Sequence, residues 1–422
     1  MNSTITAPLK RLLASIKDGT HGTFTRVDEG LPLLSAKNVQ HGHLLIGTDE
    51  SLISEADHLA IVANGFPRRH DVLLTIVGTI GRSCVFDLDS PLAFQRSVAF
   101  LRPRPGVDPR YLAYLTQSAG FQDQLALATK SAAQGGVYMG DVWEAPCTYV
   151  IPREQERIAN FLDEKTARID ALIAEKERLV EVLSNAAADL LHDAVTKGID
   201  GAPLKESGRQ WMGRIPSHWS APFVRFVARL ESGHTPSRQH PEYWENCTIP
   251  WFTLADVWQI RDGRREVVTE TKELVSELVI SNSSARLLPA GTVMLSRTAS
   301  VGFSAIMGTP MATTQDFVNW VCGHKVLPEY LLYVFRSMRV EFERLKFGST
   351  HSTIYMPDVA KLSMPLPPVP EQRKIVEAAR TRKQKIDALI EAAKQSTSRL
   401  REYRSALISA AVTGQLNLLA ES

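Results

Sequence analysis

Ile-Asp-Ala-Leu-Ile occupies Ile169–Ile173 and recurs, letter for letter, at Ile386–Ile390. The same offset of 217 residues relates EQERI from Glu154 to EQRKI from Glu371, and AVT at Ala194–Thr196 to AVT at Ala411–Thr413. It also relates YMGDV from Tyr138 to YMPDV from Tyr355. Ungapped matches of this extent in one order mean that the chain is written twice, and such a repeat governs every later assignment. Upstream the match loosens. DVLLTIVGTIG from Asp71 pairs with TVMLSRTASVG from Thr292 at an offset of 221, and RYLAYLTQS from Arg110 with EYLLYVFRS from Glu329 at 219. The drift places insertions in the loops between these islands.

Each copy has two textures. Short apolar or alternating runs such as VLLTIV and TVMLS, broken by Gly and Pro, read as strands of a mixed, strand-rich domain. From Pro152, and again from Pro370, about 45 residues follow without a proline and with helical periodicity. A proline and an acid (Glu154, Glu371) suit a first helical turn, and Gly198 and Gly414 are natural stops. Read as heptads, Leu162, Ile169 and Leu183 fall at a, with Leu172 and Leu179 at d. In the second helix Ile386 and Leu400 fall at a, with Leu389 and Tyr403 at d. Seven and eight of the ten a and d positions are apolar, counting Ala and Tyr, which predicts a two-helix coiled coil along that seam. A helix of this length spans roughly 65–70 Å at 1.5 Å per residue, too long for one domain of about 150 residues to cover. The expected fold class is therefore α+β: two strand-rich mixed domains, at 1–150 and 201–367, separated by two long α-helices, at 151–200 and 368–422, that pair as a coiled coil.

Composition limits the function. The net charge is +2, distributed as −1 over 1–150, −4 over 151–200, +3 over 201–365 and +4 over 366–422. No block is polybasic enough to announce nucleic acid by itself. Cys84, Cys147, Cys247 and Cys322 are scattered without a CxxC pair, as expected of reduced thiols in a cytoplasmic protein, not of disulfides or a zinc site. No apolar run reaches 18 residues, and MNSTITAPLKRLL lacks the pattern of a signal peptide. There is no GxG, no GxxxxGK[ST], no [DN]PP[YFW] and no HExxH. The loops that cradle nucleotides or S-adenosylmethionine, and the tetrapeptide that holds a base for amino-methylation, are thus missing. PDVAK from Pro357 opens like a nuclease motif, but no persuasive acidic partner accompanies it.

Three motif sets carry a family resemblance over nearly the whole chain. They are QWMGRIPSHW at Gln210–Trp219, the strand-and-turn pair VLLTIVGTIG (Val72–Gly81) and VMLSRTASVG (Val293–Gly302), and the run into helix, MPLPPVPEQRKI at Met364–Ile375 and VIPREQERI at Val150–Ile158. The chain resembles the specificity subunit of type I restriction–modification systems. It departs at the N-terminus, where Ala7-Pro-Leu-Lys stands without a copy of the WMGRIPSHW opening. The resemblance implies two target-recognition domains with pseudo-two-fold symmetry, each reading one half of a bipartite, asymmetric site in double-stranded DNA. It also implies that the two long helices form an antiparallel coiled coil, set the spacer and dock two modification (methyltransferase) subunits. S-adenosylmethionine, ATP and Mg²⁺ then belong to the modification and restriction (translocase/nuclease) subunits, and this chain carries no cofactor, no metal and no catalytic residue. A protein-only coiled-coil adaptor, and a fused methyltransferase or nuclease chain, are the rivals. DNA binding discriminates against the first and the missing motifs against the second.

Loop-borne polar residues that hydrogen-bond bases and phosphates are the candidate DNA contacts. In the first domain these are Arg26, Lys37, Asn38, Arg68, Arg69, Arg82, Arg96 and Gln134. In the second they are Arg238, Arg261, Arg264, Arg265, Arg297, Lys346, Ser349 and His351, with Arg261, Arg264 and Arg265 the densest basic cluster. Gly78, Gly81, Gly302 and Gly348 are expected to shape turns.

Overall fold

A computed structural model describes residues 4–131, 135–347 and 352–416. The chain divides into two compact units: residues up to Arg178 together with those from Ala393 on, and residues Leu179–Ala392.

In the first unit, four antiparallel strands lie in the order Leu13–Asp18, Val98–Pro103, Val72–Thr75, Ser83–Val85. The helix Pro109–Gln117 covers one face of this sheet, its Tyr111, Leu112 and Leu115 packing with Leu13, Val72, Leu74 and Leu101. On the other face Leu73, Phe94, Val98 and Phe100 join Leu34 from a small sheet of Leu52–Ile53, Leu31–Leu34 and Ala93–Phe94. Alternation along Val72–Thr75 sends successive side chains to opposite faces, and both faces are covered. This is why the run reads as continuously apolar. Thr4–Pro8 pairs antiparallel with Pro146–Val150 and so closes the unit at its N-terminus.

The second unit repeats this plan. Ala228–Ser232, Phe317–Cys322, Val293–Ser296 and Ser304–Met307 follow the same antiparallel order, and Val267–Val268 adds a parallel edge. Pro328–Ser337 is its covering helix, and Trp320, Tyr330 and Tyr333 fill its core.

The long helices span Pro152–Lys197 and Val369–Val412. Within the first unit Ile158, Leu162 and Ile169 pack with Leu407, Ile408 and Val412. Arg401 meets Glu177 at 2.6 Å and Arg404 meets Asp170 at 2.9 Å, so the two segments run antiparallel. In the second unit Ala194 and Val195 pack with Ile375, Val376 and Ala379. The repeated AVT is thus where each helix ends, buried. Tyr111 donates to the Val412 carbonyl at 2.6 Å and accepts the Val150 N–H at 3.0 Å. Tyr330 lies 3.2 Å from the Val195 carbonyl and 3.1 Å from that of Pro365.

The seam differs from an a/d stripe. Buried and half-buried residues follow Leu162, Thr166, Ile169, Ile173, Lys176, Val180 and Leu183 in the first helix, and Ala379, Lys383, Ile386, Ile390, Ala393, Thr397 and Leu400 in the second. Those are the a and e columns. The d residues Leu172, Leu179, Leu389 and Tyr403 are 46–59% exposed. The sequence offers three apolar columns, and the helices close on a and e.

Candidate nucleic-acid interface

At one end of the first unit's main sheet, Leu13–Asp18 and Val72–Thr75 finish while Val98–Pro103 and Ser83–Val85 begin. The connecting turns are therefore brought together there. Gly19 donates to Val98 O at 3.1 Å and Thr20 to Phe94 O at 2.7 Å, while Arg96 N–H returns to Thr20 O at 2.9 Å. Ile76 N–H reaches Ser97 O at 2.9 Å, and Val137 N–H reaches Ile76 O at 2.8 Å. The second unit makes matching bonds: Gly233 to Phe317 O at 3.3 Å, His234 to Thr313 O at 2.9 Å, Arg297 to Asp316 O and Ile354 to Arg297 O, both at 2.8 Å. Glycine is required at the crossing point in each, because a Cβ on Gly19 would sit 2.2 Å from Phe94 O and one on Gly233 1.9 Å from Thr314 O.

This end gathers some of the candidate DNA contacts and leaves others elsewhere. Arg82 and exposed Arg96 sit on it. Lys37 lies beside it, since Ala36 N–H donates to Ser97 Oγ at 3.0 Å. Lys37 itself pairs with Glu50 at 2.9 Å, and the hydrogen bond from Lys37 helps to hold that carboxyl below its usual range against burial, which pushes it up. Asn38 is buried and serves its own turn, donating to Leu45 O at 3.0 Å and accepting from Ser35 N–H at 2.9 Å. Arg69 spans Asp87 at 2.8 Å and Asp89 at 3.2 Å, while Arg26 and Arg68 are exposed on loops.

In the second unit Arg297 turns inward, its guanidinium donating to Gln315 O at 3.0 Å and Ile354 O at 3.4 Å. Arg238 stacks 4.0 Å over Trp244 and meets Glu273 at 2.5 Å. The basic cluster is exposed but partly engaged: Arg264 pairs with Glu391 of the second long helix at 3.0 Å, Arg265 donates to Gln259, and Arg261 has no side-chain partner among the described residues. Lys346 pairs with Glu343 at 2.5 Å. Gln134, Ser349 and His351 lie outside the described residues.

Two residues missed by reasoning from the sequence prove to be structural hubs. Gln155 and Gln372, the second letters of the repeated EQ, are fully buried. Gln155 bonds Val150 O at 3.0 Å and accepts Asp108 N–H at 3.1 Å. Gln372 bonds Pro367 O and Lys325 O and accepts Leu327 N–H, all at 2.9 Å. Recurrence of an amide at the mouth of both helices was the available signal. In the second unit Glu371 also receives Trp219 Nε1 at 2.8 Å, which ties the WMGRIPSHW segment to the helix start. Among the described residues no cluster of His, Cys, Asp and Glu could hold a metal ion, and no helix is long and apolar enough to cross a membrane.

Residues 216–395 match the family model described as the type I restriction modification DNA specificity domain. The MjaIX specificity subunit of Methanocaldococcus jannaschii is 29% identical over 166 residues, 39% of this chain and 38% of that protein's own length. Residues 216–395, the second strand-rich body and the first half of the second long helix, are thus similar to the DNA specificity domain of type I restriction–modification systems. The StySPI specificity subunit of Salmonella potsdam aligns at 20% identity over 92% of this chain and 83% of its own. A chain solved in work on complex assembly and conformational transition of the type I R-M system superposes with a TM-score of 0.72 at 17% identity, over 99% of this chain and 100% of that one. The mixed fold with two long helices is thus shared with that chain.

Proposed function

We propose that this chain is the non-catalytic DNA-recognition subunit of a type I restriction–modification complex in the cytoplasm. Residues 1–150 and 201–367 act as target-recognition domains, each reading one half of a bipartite, asymmetric site. Residues 151–200 and 368–422 form the helical spacer on which two modification subunits and, through them, restriction subunits assemble. S-adenosylmethionine, ATP and Mg²⁺ act on those partners. The observation that carries this reading is the DNA specificity match itself. It runs from a strand-rich body into a long helix, and a second body and helix of the same plan precede it. The exposed d residues, Leu172 and Tyr403 in the first unit and Leu179 and Leu389 in the second, offer the modification subunits apolar contacts on each unit. Co-expression with the cognate modification subunit, followed by methylome sequencing, tests the proposal. The expected result is methylated adenine in a split, asymmetric motif, with no methylation or cleavage by the purified chain alone when S-adenosylmethionine, ATP and Mg²⁺ are supplied. Methyl transfer by the isolated subunit would overturn it.

A further inference from the structure

If the two halves read different sequences from one architecture, the reading side chains should differ where the backbone frame is the same. The strand-end turns 95–97 and 314–316 meet that condition. Gln95 N–H bonds Leu34 O at 2.8 Å, and Thr314 N–H bonds Phe252 O at 3.0 Å. The next residues, Arg96 and Gln315, occupy equivalent places on the two turns, and both are exposed. Among the described residues neither side chain makes a hydrogen bond or an ion pair, in contrast to Arg69, Arg238, Arg264, Arg265 and Arg297.

Their backbones, by contrast, are held from several sides. The first turn is pinned by Thr20 O on Arg96 N–H, by Ile76 N–H on Ser97 O, and by the Ala36 N–H bond to Ser97 Oγ. The second is pinned by Arg297, whose amide bonds Asp316 O at 2.8 Å and whose Nε bonds Gln315 O at 3.0 Å. A free, hydrogen-bonding side chain on an immobilised turn is the arrangement a base reader needs, because the ordering cost is met before DNA arrives.

We infer that Arg96 and Gln315 are the specificity-determining residues at equivalent points of the two recognition domains, reading a guanine in one half-site and an adenine in the other. The assignment of bases follows from donor geometry. An arginine fork matches O6 and N7 of guanine, and a glutamine amide matches N6 and N7 of adenine in the major groove. Arg297 is a positioning residue, since its guanidinium is spent on the turn that presents Gln315. This inference rests on the reading of the chain as a DNA-recognition subunit.

Methylome sequencing of cells carrying the chain with its cognate modification subunit separates the two claims. Failure of the unsubstituted chain to direct methylation to any defined site would overturn the recognition-subunit reading, and this inference with it. Given a defined wild-type motif, Arg96→Ala should relax a single G·C position of one half-site by about 10- to 100-fold in discrimination, leaving the other half-site untouched. Gln315→Ala should do the same at an A·T position of the other half-site. Arg96→Gln and Gln315→Glu replace either variant that melts early, with the base preference expected to change at the same positions. An unchanged motif overturns the inference. So does uniform weakening across all sequences with a salt slope lower by about one unit, the mark of a phosphate contact.

Discussion

Gln372 satisfies three backbone groups with one amide: the carbonyls of Lys325 and Pro367 and the N–H of Leu327. Truncation would leave all three without a partner in a buried place, and each unsatisfied group costs roughly 1–3 kcal/mol before relaxation. Gln372→Ala should therefore destabilise the chain by about 2–4 kcal/mol in chemical denaturation, and Gln155→Ala should fall in the same range. An exposed neighbour such as Arg373→Ala should change stability by less than about 0.5 kcal/mol. These amides show where sequence reading stops at the residue scale. The repeat makes them visible as shared letters, but which carbonyl a side chain reaches depends on loops that meet only after folding. Candidate DNA contacts were illegible for the same reason. Arg69 and Arg264 look like Arg96 in the sequence, yet Asp87 and Glu391 engage the first two, while among the described residues no group bonds the side chain of the third.

At the scale of elements, both long helices and the strands within VLLTIV and TVMLS could be read from the sequence, whereas the seam could not. Leu172 and Leu179 at d are as apolar as their e-column neighbours Ile173 and Val180, so composition alone does not choose between the two columns. Packing selects e, and only the tertiary contacts settle the choice. Leu172→Gln and Leu389→Gln should accordingly change the stability of the chain by less than about 0.5 kcal/mol while weakening capture of the modification subunit in a pull-down. Leu162→Ala, at a fully buried a position, should cost about 2–5 kcal/mol. The second long helix is also held to its recognition body by charge. Burial pushes the Glu266 carboxyl up, but the Tyr333 hydroxyl at 2.6 Å and Arg380 at 2.9 Å together hold it below the usual range. A carboxylate whose folded value is depressed contributes stability above its unfolded value and loses it as pH falls through the folded one. Denaturation followed downward from neutral pH should therefore show an acid limb that Glu266→Gln shortens. Identical acid limbs in the two proteins would show that this contact does not couple to pH.

For the whole molecule, the consequential fact is that the first unit is not continuous in sequence: residues from Ala393 on pack with residues up to Arg178. The repeat announces two copies, and antiparallel pairing brings the end of the second helix to the first body, but nothing local in AVT specifies Tyr111 as its partner. The contact has a defined form. Tyr111 is buried and donates to the Val412 carbonyl, and Ala119 N–H bonds Ser409 Oγ at 2.8 Å. A graft that replaces only the strand-bearing residues up to Arg104 with those of a relative keeps both anchors native. It should change one half-site of the recognised DNA and leave the other unchanged. A graft extended through Ser118 imports a foreign partner for Val412. It should lose stability unless the last turns of the second helix, from Leu407 on, are imported from the same relative. Methylome sequencing reports the half-sites, and thermal melting reports the cost of the mismatched anchor. If the short graft altered both half-sites, the bodies would not read independently. If the long graft melted as high as the short one, the Tyr111–Val412 contact would not be what joins the first body to the terminal helix.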